Sequence, residues 1–262
     1  MTKTIADRRG PWAAAALLLA CACAASAAPA PPAPGGRLAE YEASQRLFGR
    51  KGILEPLAEL TERWQYTDQR LSRSLMLGSY ARVERHLKLG AFYRLQYGAR
   101  HDDDWERDKL GRWGWRDTID RPEHILVLDA TPRAELPGGS WVASLKVRLE
   151  RNFSQRRTIL RAQPELAWFW MEGLKPRATV FVRQETDFAL DFGETSVWQR
   201  WYYLASLWHA RPALSLGPSL ALREEVWSTS GSYRSVSGAG PPGYQTLYRA
   251  WVLGFTAILR LR

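Results

Sequence analysis

The run Trp141-Val142-Ala143-Ser144-Leu145-Lys146-Val147-Arg148-Leu149-Glu150 decides the fold. Trp141, Ala143, Leu145, Val147 and Leu149 share one parity, and Val142, Ser144, Lys146, Arg148 and Glu150 share the other. A period of two means a β-strand with one apolar and one charged face. The next run repeats it, with Leu160, Ala162, Pro164, Leu166, Trp168 and Trp170 opposing Arg161, Gln163 and Glu165. Strands of soluble proteins usually stop at about 5–6 residues. Crossing a bilayer takes a tilted strand of about 9–11. These runs reach the longer figure, so they speak to architecture and location and leave any reaction open.

The same alternation extends both ways along the chain. Ala58, Leu60, Trp64 and Tyr66 share a face, with Glu62 as a misfit. Then come Leu75, Leu77, Ala81 and Val83, followed by Leu87, Leu89, Ala91, Tyr93, Leu95 and Tyr97, and then Leu126, Leu128, Ala130 and Ala134. After the two runs above, Ala178, Val180, Val182 and Phe188 continue the pattern. Val197 to His209 is apolar on both faces, and the last rows are Leu214 to Leu222 and Trp251 to Leu261. Short turns at Glu84-Arg85, Pro137-Gly138-Gly139, Glu172 to Pro176 and His209 to Pro212 fall at every second junction. Long connections, about Arg100 to Pro122 and Ser228 to Gln245, fall at the others. Short turns on one side and long loops on the other predict an antiparallel, up-and-down transmembrane β-barrel. Starting and ending on the short-turn side requires an even number of strands. The prediction is therefore an all-β barrel of about ten strands over 57–262, with a small, narrow lumen.

The ends of the chain fit export. Lys3, Arg8 and Arg9 precede an apolar core from Ala13 to Ala22, and Ala25-Ser26-Ala27 is a small-residue cleavage site, so 1–27 reads as a signal peptide. Leu18-Leu19-Ala20-Cys21 allows a second reading, a lipid-anchored Cys21. Ala28 to Gly36 is a Pro-rich linker. Residues 28–56 as a whole form a linker and an ambiguous segment, where Leu38, Tyr41 and Leu47 suit a short amphipathic helix. Both cysteines, Cys21 and Cys23, lie in the leader, so an exported chain has no disulfide framework. The full chain has net charge +10, and loss of the leader leaves 34 basic and 26 acidic residues, a net +8. Arg alternates with Glu and Asp along strands instead of clustering, which excludes a nucleic-acid face. Outer-membrane lipid and a small anionic solute are the partners this pattern suggests. No apolar run of helix length follows the leader, and a barrel needs none.

The candidate functional residues are the inward rows: Asp129, Arg133 and Glu135, Arg148 and Glu150, Arg161 and Glu165, Arg183, Glu185 and Asp187, and Arg223 and Glu225. Two readings compete. Opposite charges on neighbouring strands neutralise one another, at about 0.2–1 kcal/mol per cross-strand pair, and plug the lumen. Alternatively, the arginines line a narrow channel or cleft that selects anions. The near balance of signs favours the plug. His101-Asp102-Asp103-Asp104, opening the long loop, offers carboxylates and a histidine for a hard cation or for activating water. Three successive acids cannot all aim at one centre, so a solvated loop is the simpler reading. His124 starts the next strand, and His86 and His209 belong to short turns. No nucleophile elbow, paired-histidine metal spacing or phosphate-binding glycine loop is present, and no catalytic residue or cofactor is assigned.

Val147-Arg148-Leu149-Glu150-Arg151-Asn152-Phe153 followed by Ile159-Leu160-Arg161-Ala162-Gln163-Pro164-Glu165-Leu166 resembles the outer-membrane β-barrel proteins catalogued as domain of unknown function 2490. The similarity covers about Leu57 to Arg262. It implies a barrel in the outer membrane of a Gram-negative bacterium, with the barrel assembly machinery as a partner and no catalytic residue to carry over. One departure is the ending Leu259-Arg260-Leu261-Arg262, where outer-membrane barrels usually close on a lipid-facing aromatic residue. The expectation is a small outer-membrane barrel of structural, binding or narrow-channel type rather than an enzyme. The alternatives are an outer-membrane hydrolase with a site near His101 and a soluble periplasmic β-sandwich.

Overall fold

Each alternating run is an extended strand in the computed structural model, which describes residues 38–65, 71–98, 101–107, 110, 113–117, 122–192, 196–229 and 245–261. The leader and the Pro-rich linker lie outside the described residues. The strands are β1 (Leu38–Phe48), β2 (Leu54–Gln65), β3 (Leu71–Glu84), β4 (Leu87–Gly98), β5 (His101–Arg107), β6 (Trp113–Asp117), β7 (Glu123–Glu135), β8 (Trp141–Asn152), β9 (Arg157–Glu172), β10 (Lys175–Ala189), β11 (Val197–Arg211), β12 (Leu214–Thr229) and β13 (Gln245–Arg260). No helix occurs among the described residues.

Eleven of these strands form one closed, narrow barrel in the order β1-β2-β3-β4-β7-β8-β9-β10-β11-β12-β13, each antiparallel to the next. The ring closes where β13 meets β1 in parallel, with Leu38 beside Ala250 and Phe48 beside Arg260. Closure into a single ring replaces the two packed sheets of the sandwich alternative. It also gives eleven barrel strands where about ten were expected. The added strand is β1, in the segment read as a possible helix, so the barrel begins at Leu38 and not at 57. Because the count is odd, Leu38 lies at the long-loop end and Arg260 at the short-turn end, correcting the expected return to one side. A second correction concerns the first long loop, which contains a hairpin. There β5 pairs with β6, and β5 joins the end of β12 in parallel at Ser228–Asp104 and Thr229–Trp105.

Local chemistry explains the short turns. Glu172 pairs with Lys175 across the two-residue link Gly173-Leu174, and Gly173 takes φ 61°, which glycine adopts without strain. Inside the wall, Gly90 makes room for a ring pair. Tyr80 and Phe92 meet edge to face at 4.8 Å, and a Cβ on Gly90 would lie 2.5 Å from Phe92 and 2.8 Å from Tyr80.

Burial is inverted relative to a soluble domain. Leu75, Leu77, Leu89, Leu126, Leu128, Val182, Leu204, Leu253 and Phe255 are exposed on the outer wall, whereas Glu40, Asp129, Arg148, Glu150, Glu185, Asp187, Arg223 and Glu225 are buried within. The outward rows follow the parities read from the sequence. Glu62, the misfit, faces outward near the long-loop end, where it pairs with outward Arg73 at 3.0 Å. Near the short-turn end, exposed Trp141, Trp168, Trp170 and Trp208 form an aromatic patch, with Trp141–Trp168 ring centroids 6.5 Å apart and Trp170–Trp208 5.9 Å apart.

Candidate functional site

Strand pleat aims every second side chain at the axis, and adjacent strands stack those side chains side by side. In the lumen this produces a connected set of ion pairs. Arg148 on β8 grips Asp129 on β7 with two bonds, from Nε to Oδ1 at 2.7 Å and from Nη2 to Oδ2 at 3.0 Å, and the Tyr80 hydroxyl donates to the same carboxylate at 3.0 Å. Arg94 on β4 reaches past β7 to hold Glu150 at 3.0 and 2.6 Å. Arg161 on β9 binds Asp187 on β10 at 2.7 and 2.8 Å and approaches Glu185 at 3.2 Å and Glu150 at 3.7 Å. Gln163 donates to Glu185, and Arg183 donates to Glu165 at 2.8 Å. Forked arginine–carboxylate pairs of this kind are the strong ones, and taking them out of water is affordable only when the remaining lone pairs are bonded as well.

Of the residues expected to line the lumen, Asp129, Arg148, Glu150, Arg161, Glu165, Arg183, Glu185 and Asp187 fall into these linked pairs. Arg223 and Glu225, 3.7 Å apart on β12, join through Arg223 to Glu40 at 2.8 Å. Arg133 and Glu135 sit at the short-turn rim instead, where Arg133 donates to the Arg85 carbonyl at 3.2 Å and exposed Glu135 accepts from Arg85 at 3.1 Å.

Sequence reasoning missed the part of the site supplied by β1 and β2. Glu40, Glu42, Ser44 and Arg46 point inward from β1. Glu42 accepts from Arg63 on β2 at 2.5 Å, and Arg46 donates to Glu59 at 3.2 Å. The alternation of Glu40, Glu42 and Arg46 against Ala39, Tyr41 and Ala43 was the available signal. Aromatic rings are also found inside. Trp201 on β11 stacks on Tyr203 at 5.4 Å and lies between Arg63, 4.7 Å from its centroid, and Arg223, 5.6 Å away. Arg63 and Trp201 belong to strands separated by β1, β13 and β12, so this cation–π contact spans the narrow lumen.

A cavity of about 420 Å³ occupies the lumen, reaching from Ser72, Arg157 and Gln199 near the long-loop end down to Leu207 and Gly217. At the short-turn end, a hydrogen-bonded run links the neighbouring strands β10 to β13. Thr179 contacts His209 Nε2 at 2.8 Å, His209 Nδ1 contacts Ser215 at 2.8 Å, and Arg260 donates to Ser215 at 2.9 Å. Ser215 is fully buried, and none of these four residues lines the cavity. His209 is thus an inward residue of β11 and not part of a turn.

The side chains of His101, Asp102, Asp103 and Asp104 lie outside the described residues; their backbone is strand β5 and not open loop. His124 faces outward and contacts the Tyr93 hydroxyl, and His86 occupies the turn between β3 and β4. No cluster of three or more metal-ligating side chains occurs among the described residues. Outside the barrel wall, Asp191 accepts from the Thr158 hydroxyl and backbone N–H, both at 2.6 Å, and from Arg151. These bonds hold its carboxyl below the usual carboxylate range. Comparison with known proteins gave no matching family model, curated protein or solved structure.

Proposed function

We propose that this chain is a small outer-membrane β-barrel protein, exported through a cleaved leader and inserted by the barrel assembly machinery. In this reading it serves as a structural or ligand-binding element and catalyses no reaction. The observation that carries the reading is the inverted burial: leucines and tryptophans cover the outer wall while glutamates and arginines fill the interior. Water penalises an apolar exterior of that extent, and lipid rewards it. Strands β7 to β13 have 12–16 residues, enough to cross a hydrocarbon layer when tilted. The tryptophan patch at the short-turn end suits the interface between headgroups and acyl chains. Closure of the ring leaves no unpaired edge for lipid to meet.

The cross-lumen contact of Arg63 with Trp201 and the ion pairs that fill the interior favour a narrow binding lumen over an open channel. The resemblance to the domain of unknown function 2490 barrels points the same way on location and adds no reaction. The test is alkaline carbonate extraction of membranes from cells making the full chain, with electrophoresis of unheated and boiled samples. The reading expects the protein to stay in the pellet and its unheated form to migrate as a compact band that shifts on boiling. Release as a soluble monomer overturns it.

A further inference from the structure

The ends of the ion pairs are not equally placed. Asp129, Asp187 and Glu40 are completely buried in the wall, whereas the side chains of Lys146, Arg46 and Arg63 retain 28, 31 and 26 % of their exposure. The asymmetry follows from chain length. Arginine and lysine reach further from a strand than aspartate or glutamate, and ten described Arg and Lys side chains line the cavity against five glutamates. The five, Glu42, Glu59, Glu150, Glu185 and Glu225, each lie within 3.7 Å of an arginine. The surface that a solute would meet is therefore cationic, although the buried charges nearly balance.

Lys146 has no acid of its own among the described residues. The closest acid to it among the described residues is Asp129, 3.9 Å away, whose oxygens already accept from Arg148 and Tyr80. On the same cavity wall, the Arg46 Nε and the Ser44 hydroxyl are buried donors without a hydrogen-bond partner. Buried donors without acceptors are costly, and such gaps are filled by water or by a ligand.

We infer that the lumen contains a binding site for a phosphate-type oxyanion, with Lys146 as the cation that shares its acid with Arg148 and with Arg46 and Ser44 as the free donors. A tetrahedral oxyanion presents several acceptors at once to donors on different strands, which one carboxylate of the wall does not. The site belongs to the barrel interior and is independent of whether the barrel lies in a membrane, so the two proposals fail separately.

The test uses the mature chain refolded in detergent micelles, each variant being checked for the band shift on boiling. Inorganic phosphate and, separately, glucose 6-phosphate are titrated calorimetrically at constant ionic strength in chloride. The expected result is saturable one-to-one binding of at least one of them, weakened tenfold or more in Lys146→Gln and retained in Lys146→Arg. Lys175→Gln, which removes an exposed charge at a short turn, should bind as the parent does. Preference between the two titrants tells a free anion from one carried on a larger solute. Ser44→Ala, a small change that leaves every ion pair intact, gives a second reading through a severalfold loss should Lys146→Gln not refold. Absence of saturable binding of both titrants, or parent-like binding by the Lys146→Gln or Ser44→Ala variant that refolds, overturns the inference.

Discussion

Asp129 illustrates what one side chain contributes inside this barrel. It is fully buried and satisfies Arg148 and Tyr80 together, so truncating it strands a guanidinium in a region of low dielectric. Removing one partner of a buried pair costs about 3–5 kcal/mol. Glu135 pairs with Arg85 at the rim with both side chains more than half exposed, a setting worth about 0–1 kcal/mol. Urea unfolding of the refolded barrel should therefore show a large stability loss for Asp129→Ala and almost none for Glu135→Ala. Equal losses would mean that the lumen pairs are as well solvated as the rim. The sequence distinguished these two residues poorly, since both sit on the inward parity of β7. Strand parity reports which face a side chain takes and says nothing of its depth along the axis, which depends on tilt and register. Lys146 escaped notice for a related reason. It stands on the charged face of the quoted run, but its significance comes from the saturation of Asp129, a three-dimensional fact.

Among the elements, the seam between β1 and β13 is the least predictable from sequence. Its strand was hidden because Leu38, Tyr41 and Leu47 fall on both parities and imitate a helical spacing, while Gln45 interrupts the outward row. Polar residues at Glu40, Glu42 and Arg46 make sense only once Arg223, Tyr248, Arg63 and Glu59 are seen opposite them. The hairpin β5–β6 was unreadable for a different reason: its charges and short strands lack an apolar row. Without β1, strands β2 and β13 would face each other antiparallel and an even barrel would close, which is the arrangement that counting turns suggests. Cross-linking separates the two. Ala43 and Phe255 are register partners on the seam, so Ala43→Cys with Phe255→Cys should oxidise to an intramolecular disulfide in the folded protein. Ala58→Cys with Phe255→Cys should not. The opposite pattern would place β2 against β13 and remove β1 from the wall.

The whole molecule is a barrel that is apolar outside and ionic within. That much was legible, because twelve or more residues of unbroken alternation permit few other arrangements. The most direct check follows β9, where Leu160, Ala162, Leu166 and Trp168 face outward and Gln163 and Glu165 face the lumen. Both native cysteines precede residue 24, so single cysteines introduced into the mature chain can be spin-labelled one at a time. In lipid vesicles, relaxation by oxygen, which concentrates in hydrocarbon, is compared with relaxation by a water-soluble nickel chelate. The prediction is a period-two alternation, with labels at 160, 162, 166 and 168 favouring oxygen and those at 163 and 165 shielded from it. Outward labels that meet the nickel chelate as freely as solvent would contradict a lipid-facing wall.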